Sequence, residues 1–475
     1  MGFLTNLQDK KLFLVGIKGT GMATLACKLA QIGVYVTGSD VPEQFATEVI
    51  LRTANISWFE TFTAEVIPPD CSMVIYSAAY STNEQIEWAL HHDIPLFSYP
   101  QFIAQLSQTL PTFGVAGTHG KTTASGSLDW ILQKTGLSYL ALYGSHLRGE
   151  ITPFKLDDET ICILEACEYR DHFLAYTIQG VLVVTIEHDH PDWFKDEEQT
   201  LESFKKLLFS LPAQGLVVCG TDSASSRALI DWTRVERPDL VLITYGEHPS
   251  SLLRLEYVEE RAYQLQPLKG VYLTPYASIP LTLDLIGAAI FGSCILLQRD
   301  HVAFDLPQLL SNPILPALLA ENSSFPGCAG RIEPLFEIDD VIYINDYAHH
   351  PSEITASIEN LRGHYPEYRL VVVFFPHTVS RTQAFWQGFV DALCLADEVV
   401  MRPIAASARH DGDPTLTKTL AQQLADAIGA HYSETEDDVV ATVAQVLRPG
   451  DLCVTMGAGN THGFAQRIAD WRRST

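Results

Sequence analysis

Short apolar segments alternate along the chain with longer segments in which apolar residues recur at helical spacing. The apolar segments have the length of strands and end in glycine or in polar residues. Strands that alternate with helices in this way predict parallel sheets covered by helices, and therefore an α/β protein. The predicted strands cover residues 11–16, 34–37, 73–76, 94–97, 113–116, 160–164, 181–186, 216–219, 341–344, 370–375, 398–401 and 452–456.

Breaks in this pattern divide the chain into three groups of strand–helix units. The first break lies at residues 107–111, and the second at residues 323–327, which are rich in serine, proline and glycine. A chain of 475 residues is also long enough for about three domains. We predict a first Rossmann-like domain over 1–109, a central nucleotide-binding domain over 110–325 and a second Rossmann-like domain over 326–475.

One predicted strand leads into a glycine loop with the spacing of a phosphate-binding site. Glycines let the backbone curl so that several N–H groups point at one anion, and the following helix adds positive potential. A lysine then suits the β- and γ-phosphates and a threonine suits Mg²⁺. A glycine turn without a ligand is the alternative, but the strand, glycines, Lys-Thr pair and helix occur together, so we predict ATP binding. The loop residues are Gly117, Thr118, His119, Gly120, Lys121, Thr122 and Thr123.

A second glycine loop follows the first predicted strand and opens the first helix. Its spacing is G-x-x-G-x-G and not the G-x-G-x-x-G of dinucleotide sites, so a phosphate or diphosphate is predicted there and NAD is not. An acidic residue after the next strand could bind a ribose hydroxyl. A plain strand–helix turn is the alternative. The candidate substrate-binding residues are Gly19, Thr20, Gly21, Met22, Asp40 and Ser77.

Two clusters of acidic residues and histidine follow the strands at 160–164 and 181–186. In open α/β sheets, ligands lie at the carboxyl ends of the strands. The glycine loop at residues 117–123, called the P-loop below, also lies there. Glu165 and His190 are therefore candidate contacts to Mg²⁺ together with Thr122, either directly or through water. Solvated loops without a metal are the alternative.

Polar residues also follow the strands of the third group. The strand at 341–344 leads to His349 and His350, and the strand at 370–375 leads to His377 and Arg381. The adjacent histidines could bind a metal, or could cap the next helix and pack. Because no cysteine or carboxylate stands at ligand spacing, we expect substrate or structural roles.

Composition restricts the classes of partner. The net charge is −26, and nucleic acids and anionic membranes bind basic surfaces, so neither is an expected partner. Nine scattered cysteines without a Cys-x-x-Cys pair favour a reduced compartment. The chain shows no signal-peptide pattern, and its longest apolar run, 285–297, is too short for a membrane span. We expect a cytoplasmic monomer or weak homodimer.

The order of these motifs resembles that of the Mur ligase family, the ATP-dependent amide-forming enzymes of peptidoglycan precursor synthesis. Each motif alone is a moderate signal, but in this order they are highly specific and cover nearly the whole chain. The segments that carry the resemblance are residues 16–22, 38–40, 116–123, 165–168, 186–190, 346–351 and 457–460.

The resemblance implies a three-domain ligase whose C-terminal domain binds an amino acid and closes on ATP and Mg²⁺. In that family ATP phosphorylates the lactyl carboxylate of UDP-N-acetylmuramate, and an amine attacks the acyl phosphate. The most similar branch adds L-alanine. The alternatives are the branch that adds the tripeptide L-Ala-γ-D-Glu-meso-diaminopimelate and a catalytically degenerate relative.

Residue roles are also implied by the resemblance. Arg331 and Asp346 would reach ATP from the C-terminal domain. His349, His377 and Arg381 would help to seat the amino acid. The implied catalytic residues are Lys121, Glu165, His190, His349 and Arg381.

The chain departs from the family pattern at four places. Residues 280–289 lack the His-Asn pair that usually contacts adenine, and Cys167 replaces an aspartate. Thr185 replaces the usual asparagine, and Thr378 replaces a basic residue that is often found there. A threonine cannot replace a bidentate guanidinium, so the expected clamp on the amino-acid carboxylate is weaker.

Overall fold

The computed structural model describes residues 2–149, 152–299, 305–404, 414–459 and 461–474, so Asn460 of the last motif lies outside the described residues. Their strands form sheets of five, nine and six strands. The chain divides into two compact units. The first consists of Met1–Glu187, Glu197–Pro275 and Leu283–Pro326, and the second of His188–Asp196, Tyr276–Thr282 and Gly327–Thr475.

The five-stranded sheet of the first unit is parallel, in the order β3-β2-β1-β4-β5. Its strand order reverses beside β1, which opens a crevice at the carboxyl ends of β1 and β4. The strands are β1 Lys11–Val15, β2 Tyr35–Ser39, β3 Ser57–Phe59, β4 Met73–Tyr76 and β5 Leu96–Ser98. The helices are α1 Gly2–Thr5, α2 Thr20–Gln31, α3 Glu48–Thr53, α4 Glu84–His91 and α5 Tyr99–Ser107, with 3₁₀ turns at Ala64–Val66 and Ala78–Tyr80.

The nine-stranded sheet has the order β14-β13-β12-β11-β10-β9-β6-β8-β7. Because β6 lies between β8 and β9 and runs parallel to both, the segments after these three strands meet at one edge. The strands are β6 Thr112–Ala116, β7 Tyr139–Leu142, β8 Ile161–Glu165, β9 Gly180–Val183, β10 Leu216–Gly220, β11 Val241–Gly246, β12 Leu253–Glu259, β13 Ala262–Gln266 and β14 Tyr272–Leu273. The helices are α6 Lys121–Leu132, α7 Glu197–Ser210, α8 Ala224–Glu236, α9 Ile279–Arg299, α10 Leu306–Ser311 and α11 Ile314–Glu321, with 3₁₀ segments at Tyr169–Ala175 and Asn322–Ser324.

Polar contacts of α2 join these two sheets within the first unit. Nζ of the buried Lys28 donates a hydrogen bond to the carbonyl oxygen of Thr152 at 2.6 Å. The N–H group of Phe154 donates to Oε1 of Gln31 at 2.8 Å. These contacts hold the two sheets in one unit.

Two expectations about the central part of the sequence are wrong. The strand predicted at 181–186 ends at Val183. The apolar run at 285–297 is part of the 21-residue helix α9, which by length and composition could cross a membrane. However, 72% of its most apolar stretch is buried inside the protein, and buried core helices pass the same test.

The six-stranded sheet of the second unit has the order β15-β16-β20-β17-β18-β19, with β15 antiparallel to β16 and the other neighbours parallel. Both β16 and β17 pair with β20, so their carboxyl ends face the same edge. The strands are β15 Glu333–Ile338, β16 Val341–Asp346, β17 Arg369–Phe375, β18 Glu398–Met401, β19 His431–Tyr432 and β20 Asp451–Gly457. The helices are α12 Pro351–His364, α13 Val379–Ala384, α14 Trp386–Leu393, α15 Pro414–Ile428, α16 Glu436–Val446 and α17 His462–Ser474.

Candidate active site

The P-loop between β6 and α6 has the backbone geometry of a phosphate cradle. Gly117 has a φ of +144° and Gly120 a φ of +79°. A Cβ at Gly117 would lie 3.0 Å from the carbonyl oxygen of Thr185, and a Cβ at Gly120 would lie 2.3 Å from Oδ1 of Asp284. Both positions therefore require glycine, by conformation and by space.

Lys121 begins α6 beside a carboxylate that sequence reasoning did not connect to it. Its Nζ lies 3.0 Å from Oε2 and 3.2 Å from Oε1 of the fully buried Glu168, and 3.0 Å from the carbonyl oxygen of Thr118. Burial lowers the pKa of Lys121, but the charge and hydrogen bonds of Glu168, together with the neighbouring Cys167 and Glu165, raise it overall. The lysine is therefore a fixed positive charge at the loop.

Thr122 and Glu165 are neighbours at the same sheet edge. Oγ1 of Thr122 donates to Oε2 of Glu165 at 3.0 Å, and the N–H group of Gly144 donates to the same oxygen at 2.9 Å. Adjacent ligands of an octahedral Mg²⁺, at 2.0–2.1 Å from the ion, are about 2.9 Å apart. Hydroxyl and carboxylate oxygens are also ligands that Mg²⁺ prefers, so these two residues fit the ion.

The middle of the P-loop is tied to the segment after β9. The N–H group of Thr118 donates to the carbonyl oxygen of Thr185 at 2.9 Å, and Oγ1 of Thr118 accepts from the N–H group of Glu187 at 3.0 Å. Nε2 of His119 lies 3.6 Å from a carboxylate oxygen of Glu187, and Thr123 is buried in α6. Thr118 and His119 thus fix the loop, and their contact with phosphate stays a prediction.

Helix α9 places a carboxylate over the P-loop. Asp284 is buried, and its side chain lies against Gly120. It belongs to residues 280–289, where the sequence lacked the His-Asn pair. Burial and then the charge of Asp284 raise the pKa of the nearby Tyr245. Sequence reasoning missed Asp284 because a single acid in an apolar helix carries no motif.

The predicted substrate loop of the first unit ends at the start of α2. Gly19 precedes the helix and gives its first N–H groups no side-chain cap, which suits an anion. Thr20 is exposed, Met22 is buried, and a Cβ at Gly21 would lie 3.1 Å from Oη of Tyr99. The loop therefore remains compatible with a phosphate.

The carboxylate of Asp40 accepts hydrogen bonds that hold the backbone of this loop. Its Oδ2 accepts from the N–H group of Lys18 at 2.6 Å, and its Oδ1 from the hydroxyl of Tyr80 at 3.3 Å. The fully buried Lys18 in turn donates to the carbonyl oxygen of Glu43 at 2.6 Å and pairs with Glu48 at 3.1 Å. Asp40 is thus a structural anchor, and its contact with ribose stays a prediction.

Ser77 follows β4 at the crevice of the first sheet. Its Oγ accepts from the N–H group of Ala79 at 3.4 Å. A Cβ at Gly16, which has a φ of +80°, would lie 2.9 Å from the Cβ of Ser77. The loops after β1 and β4 therefore approach each other closely.

In the second unit, Asp189 forms an ion pair with Arg381. Nη2 and Nε of Arg381 donate to Oδ1 of Asp189 at 2.6 and 3.1 Å. Burial lowers the pKa of Arg381, but the charge and hydrogen bonds of Asp189, together with the nearby Glu353, raise it overall. His190 follows, with a φ of +53°, and its Nε2 lies 3.7 Å from Oδ2 of Asp189.

Arg331 and Asp346 are also neighbours in the second unit. Asp346 ends β16, and its Oδ1 accepts from the N–H group of Ile332 at 3.2 Å. Burial raises the pKa of Asp346. The guanidinium of Arg331 lies 4.7 Å from the ring centre of Tyr347 and 4.0 Å from Glu353.

His350 caps α12, as one of the two alternatives predicted. Its Nδ1 accepts from the N–H group of Ser352 at 3.3 Å, and Glu353 accepts from the N–H group of His350 at 3.4 Å. The two side chains form a capping box.

His349 is a neutral imidazole beside His377. The two rings are 6.1 Å apart and meet edge to face. Burial lowers the pKa of His349 to about 3, although the charge of Glu353 opposes it. Nδ1 lies 2.9 Å from the carbonyl oxygen of Tyr347, which only accepts, so Nδ1 carries the proton and Nε2 is an acceptor.

Thr378, one of the departures from the pattern that the sequence resembles, has a strained backbone. Its φ of +63° and ψ of 138° are rare for a β-branched residue. Its Oγ1 accepts from the N–H group of Arg381 at 3.4 Å. The residue thus anchors the start of α13.

Family models match three parts of the chain. The matches are "Mur ligase family, catalytic domain" over residues 12–110, "Mur ligase middle domain" over 115–290 and "Mur ligase, glutamate ligase domain" over 330–459.

Curated relatives and solved structures match nearly the whole chain. A UDP-N-acetylmuramate–L-alanine ligase of Desulfitobacterium hafniense is 32% identical over 96% of this chain and 98% of its own, and one of Treponema pallidum is 31% identical over 95% and 94%. The structure of UDP-N-acetylmuramate-alanine ligase from Thermotoga maritima has a TM-score of 0.72 at 20% identity, covering 98% of this chain and 99% of its own. A murein peptide ligase from Psychrobacter arcticus has a TM-score of 0.70 at 19% identity, covering 97% and 98%. With the three matched segments and the P-loop geometry, these similarities show that the chain belongs to the Mur ligase family.

Proposed function

We propose that this protein joins L-alanine to the lactyl carboxylate of UDP-N-acetylmuramate, with conversion of ATP to ADP and phosphate. The observation that carries this proposal is the full-length similarity to relatives named for that reaction, at 32% identity for the Desulfitobacterium hafniense protein. The P-loop, Lys121, Thr122 and Glu165 are retained in a geometry that suits a nucleotide and Mg²⁺.

The reaction has two steps. A carboxylate oxygen takes the γ-phosphoryl group of ATP, which gives ADP and an acyl phosphate. The amine nitrogen then attacks the acyl carbon, phosphate leaves with that carboxylate oxygen, and the amine loses a proton. Phosphoryl transfer depends mainly on positioning and charge neutralisation.

The residues of the first unit can provide both. Lys121 offers a fixed positive charge to the phosphates, and the N–H groups of the P-loop converge on an anion. Thr122 and Glu165 would hold Mg²⁺, which neutralises phosphoryl charge when it is bound, and the contact of His190 with the ion, directly or through water, stays a prediction from the sequence. We assign UDP-N-acetylmuramate to residues 1–109, ATP to 110–325 and the amino acid to 326–475.

The amino acid would be seated by residues of the second unit. Nε2 of His349 can accept a hydrogen bond from the incoming amine, because Nδ1 carries the proton. The low pKa of His349 makes it a weak base, so positioning suits it better than proton removal. His377 lies beside it, and Arg331 and Asp346 would face ATP.

The proposal is tested by ADP release from purified protein with ATP, Mg²⁺ and UDP-N-acetylmuramate. Parallel reactions contain L-alanine, glycine, L-serine or the tripeptide L-Ala-γ-D-Glu-meso-diaminopimelate. Strong preference for L-alanine supports the proposal, and preference for the tripeptide assigns the protein to the recycling branch. ATP binding without turnover on any amine would indicate a degenerate relative.

A further inference from the structure

Asp189, which forms a buried ion pair with Arg381, has no assigned part in the function proposed above. Each residue is only 4% exposed. A single oxygen of Asp189 accepts from two nitrogens of Arg381, so the pair joins the segment His188–Asp196 to α13. Moving two charges out of water costs free energy, and a buried ion pair is therefore weak evidence of added stability. We expect this pair to have a role other than stability.

The residue after Asp189 has a backbone conformation that needs support. His190 has a φ of +53°, and such conformations persist only where neighbouring groups fix them. The N–H group of His190 donates to Oδ1 of Asp189 at 2.6 Å. The carbonyl oxygen of His190 accepts from the N–H groups of Trp193 and Phe194 at 2.8 and 2.9 Å. The same carboxylate that binds Arg381 therefore fixes this turn.

The second oxygen of Asp189 faces the imidazole of His190. Oδ2 lies 3.7 Å from Nε2, which is beyond hydrogen-bond distance, so the contact that positions His190 is the hydrogen bond from its own N–H group to Oδ1 of Asp189. Carboxylates that hydrogen-bond to metal-binding histidines orient the imidazole, and here Asp189 gives that support through the backbone of the turn.

We propose that Asp189 is a positioning residue for His190 and that Arg381 works through Asp189. Arg381 is itself anchored, because its N–H group donates to Oγ1 of Thr378. A series of contacts thus leads from the start of α13 through the buried charges of Arg381 and Asp189 to His190. The inference depends on the proposed function in one respect, since it takes His190 as a group that meets Mg²⁺.

The test is Mn²⁺ binding to the full chain in the presence of ADP, followed by electron paramagnetic resonance. Asp189→Asn keeps the shape of the side chain and removes its charge, and we expect it to weaken Mn²⁺ binding about tenfold. His190→Ala should weaken binding at least as much, and the double variant should bind like His190→Ala alone. Unchanged binding by either single variant, or multiplied effects in the double variant, would overturn the proposal.

Variants of Arg381 test the other half of the ion pair, and a second buried ion pair in the same unit provides the control. Arg381→Met should weaken Mn²⁺ binding as Asp189→Asn does, and Arg381→Lys should restore part of it. The buried Asp451 pairs with Arg369 at 2.8 Å in the same unit, so Asp451→Asn should lower the melting temperature but leave Mn²⁺ binding within twofold. Equal weakening by Asp451→Asn would reduce the effect to general destabilisation and contradict the proposal. Because turnover is not measured, failure of the L-alanine reaction in the wild type would be seen separately.

Discussion

Nζ of Lys121 lies 3.0 Å from a carboxylate oxygen of Glu168, and Glu168 is fully buried. The pair links the start of α6 to the segment after β8, two elements that also carry Thr122 and Glu165. The lysine is therefore held beside the P-loop before any phosphate arrives.

The first prediction concerns the stability of this pair. Lys121→Met leaves the Glu168 carboxylate buried without its partner and should lower the free energy of unfolding by about 3 kcal/mol. Glu168→Gln should cost less, because Lys121 keeps its hydrogen bond to the carbonyl oxygen of Thr118. Urea unfolding of both variants measures the difference, and equal losses would contradict the asymmetry.

The second prediction compares two glycines in the left-handed region. Gly120 and Gly136 have φ values of +79° and +71°, so alanine at either costs about 1 kcal/mol in backbone strain. Only at Gly120 would the Cβ also meet a side chain, that of Asp284, whereas a Cβ at Gly136 would meet nothing within 4 Å. We expect Gly120→Ala to weaken ATP binding at least tenfold by calorimetry and Gly136→Ala to leave it unchanged. Similar affinities would refute the P-loop assignment.

The third prediction tests Thr122 as a ligand of Mg²⁺. Thr122→Ala removes the hydroxyl that lies 3.0 Å from Glu165, and we expect the Mg²⁺ concentration for half-maximal turnover to rise about tenfold. Thr122→Ser retains the hydroxyl and should stay within about threefold of the wild type. If alanine and serine behave alike, the hydroxyl does not hold the ion.

The sequence predicted the elements that carry local motifs. The P-loop glycines, Lys121 and Thr122 are recognisable because their spacing is set by the backbone of one strand–helix turn, and the structure has that turn. Partners from distant parts of the chain were not predictable, because they meet only after folding. Glu168 then lies beside Lys121. Asp189 pairs with Arg381, and Asp284 lies against Gly120. None of these three acids stands in a spacing that indicates its partner.

Helix α9 also shows what local sequence does not determine. The apolar run at 285–297 is shorter than the helix Ile279–Arg299 to which it belongs, because local sequence marks helix ends poorly. The direction of Asp284 depends on which face of that helix packs over the loop, and a single acid does not define a face.

The fourth prediction follows from the low pKa of His349. Its folded-state pKa of about 3 lies below the usual value of 6.5, so between these values the unfolded chain binds the extra proton. The contribution of His349 to stability is therefore fully present above pH 6.5 and is lost as pH falls towards 3. We expect His349→Asn to flatten the decline in melting temperature between pH 6.5 and 4. The exposed His91→Asn is the control and should decline like the wild type.

The most direct test of the account uses UDP-N-acetylmuramate labelled with ¹⁸O in both oxygens of its lactyl carboxylate, with ATP, Mg²⁺ and L-alanine. Attack of the amine on an acyl phosphate places one ¹⁸O in the released phosphate and leaves one in the amide product. Mass spectrometry should find both labels in equal amounts with ADP. Unlabelled phosphate, or ADP release that does not depend on L-alanine, would contradict the proposed ligase reaction.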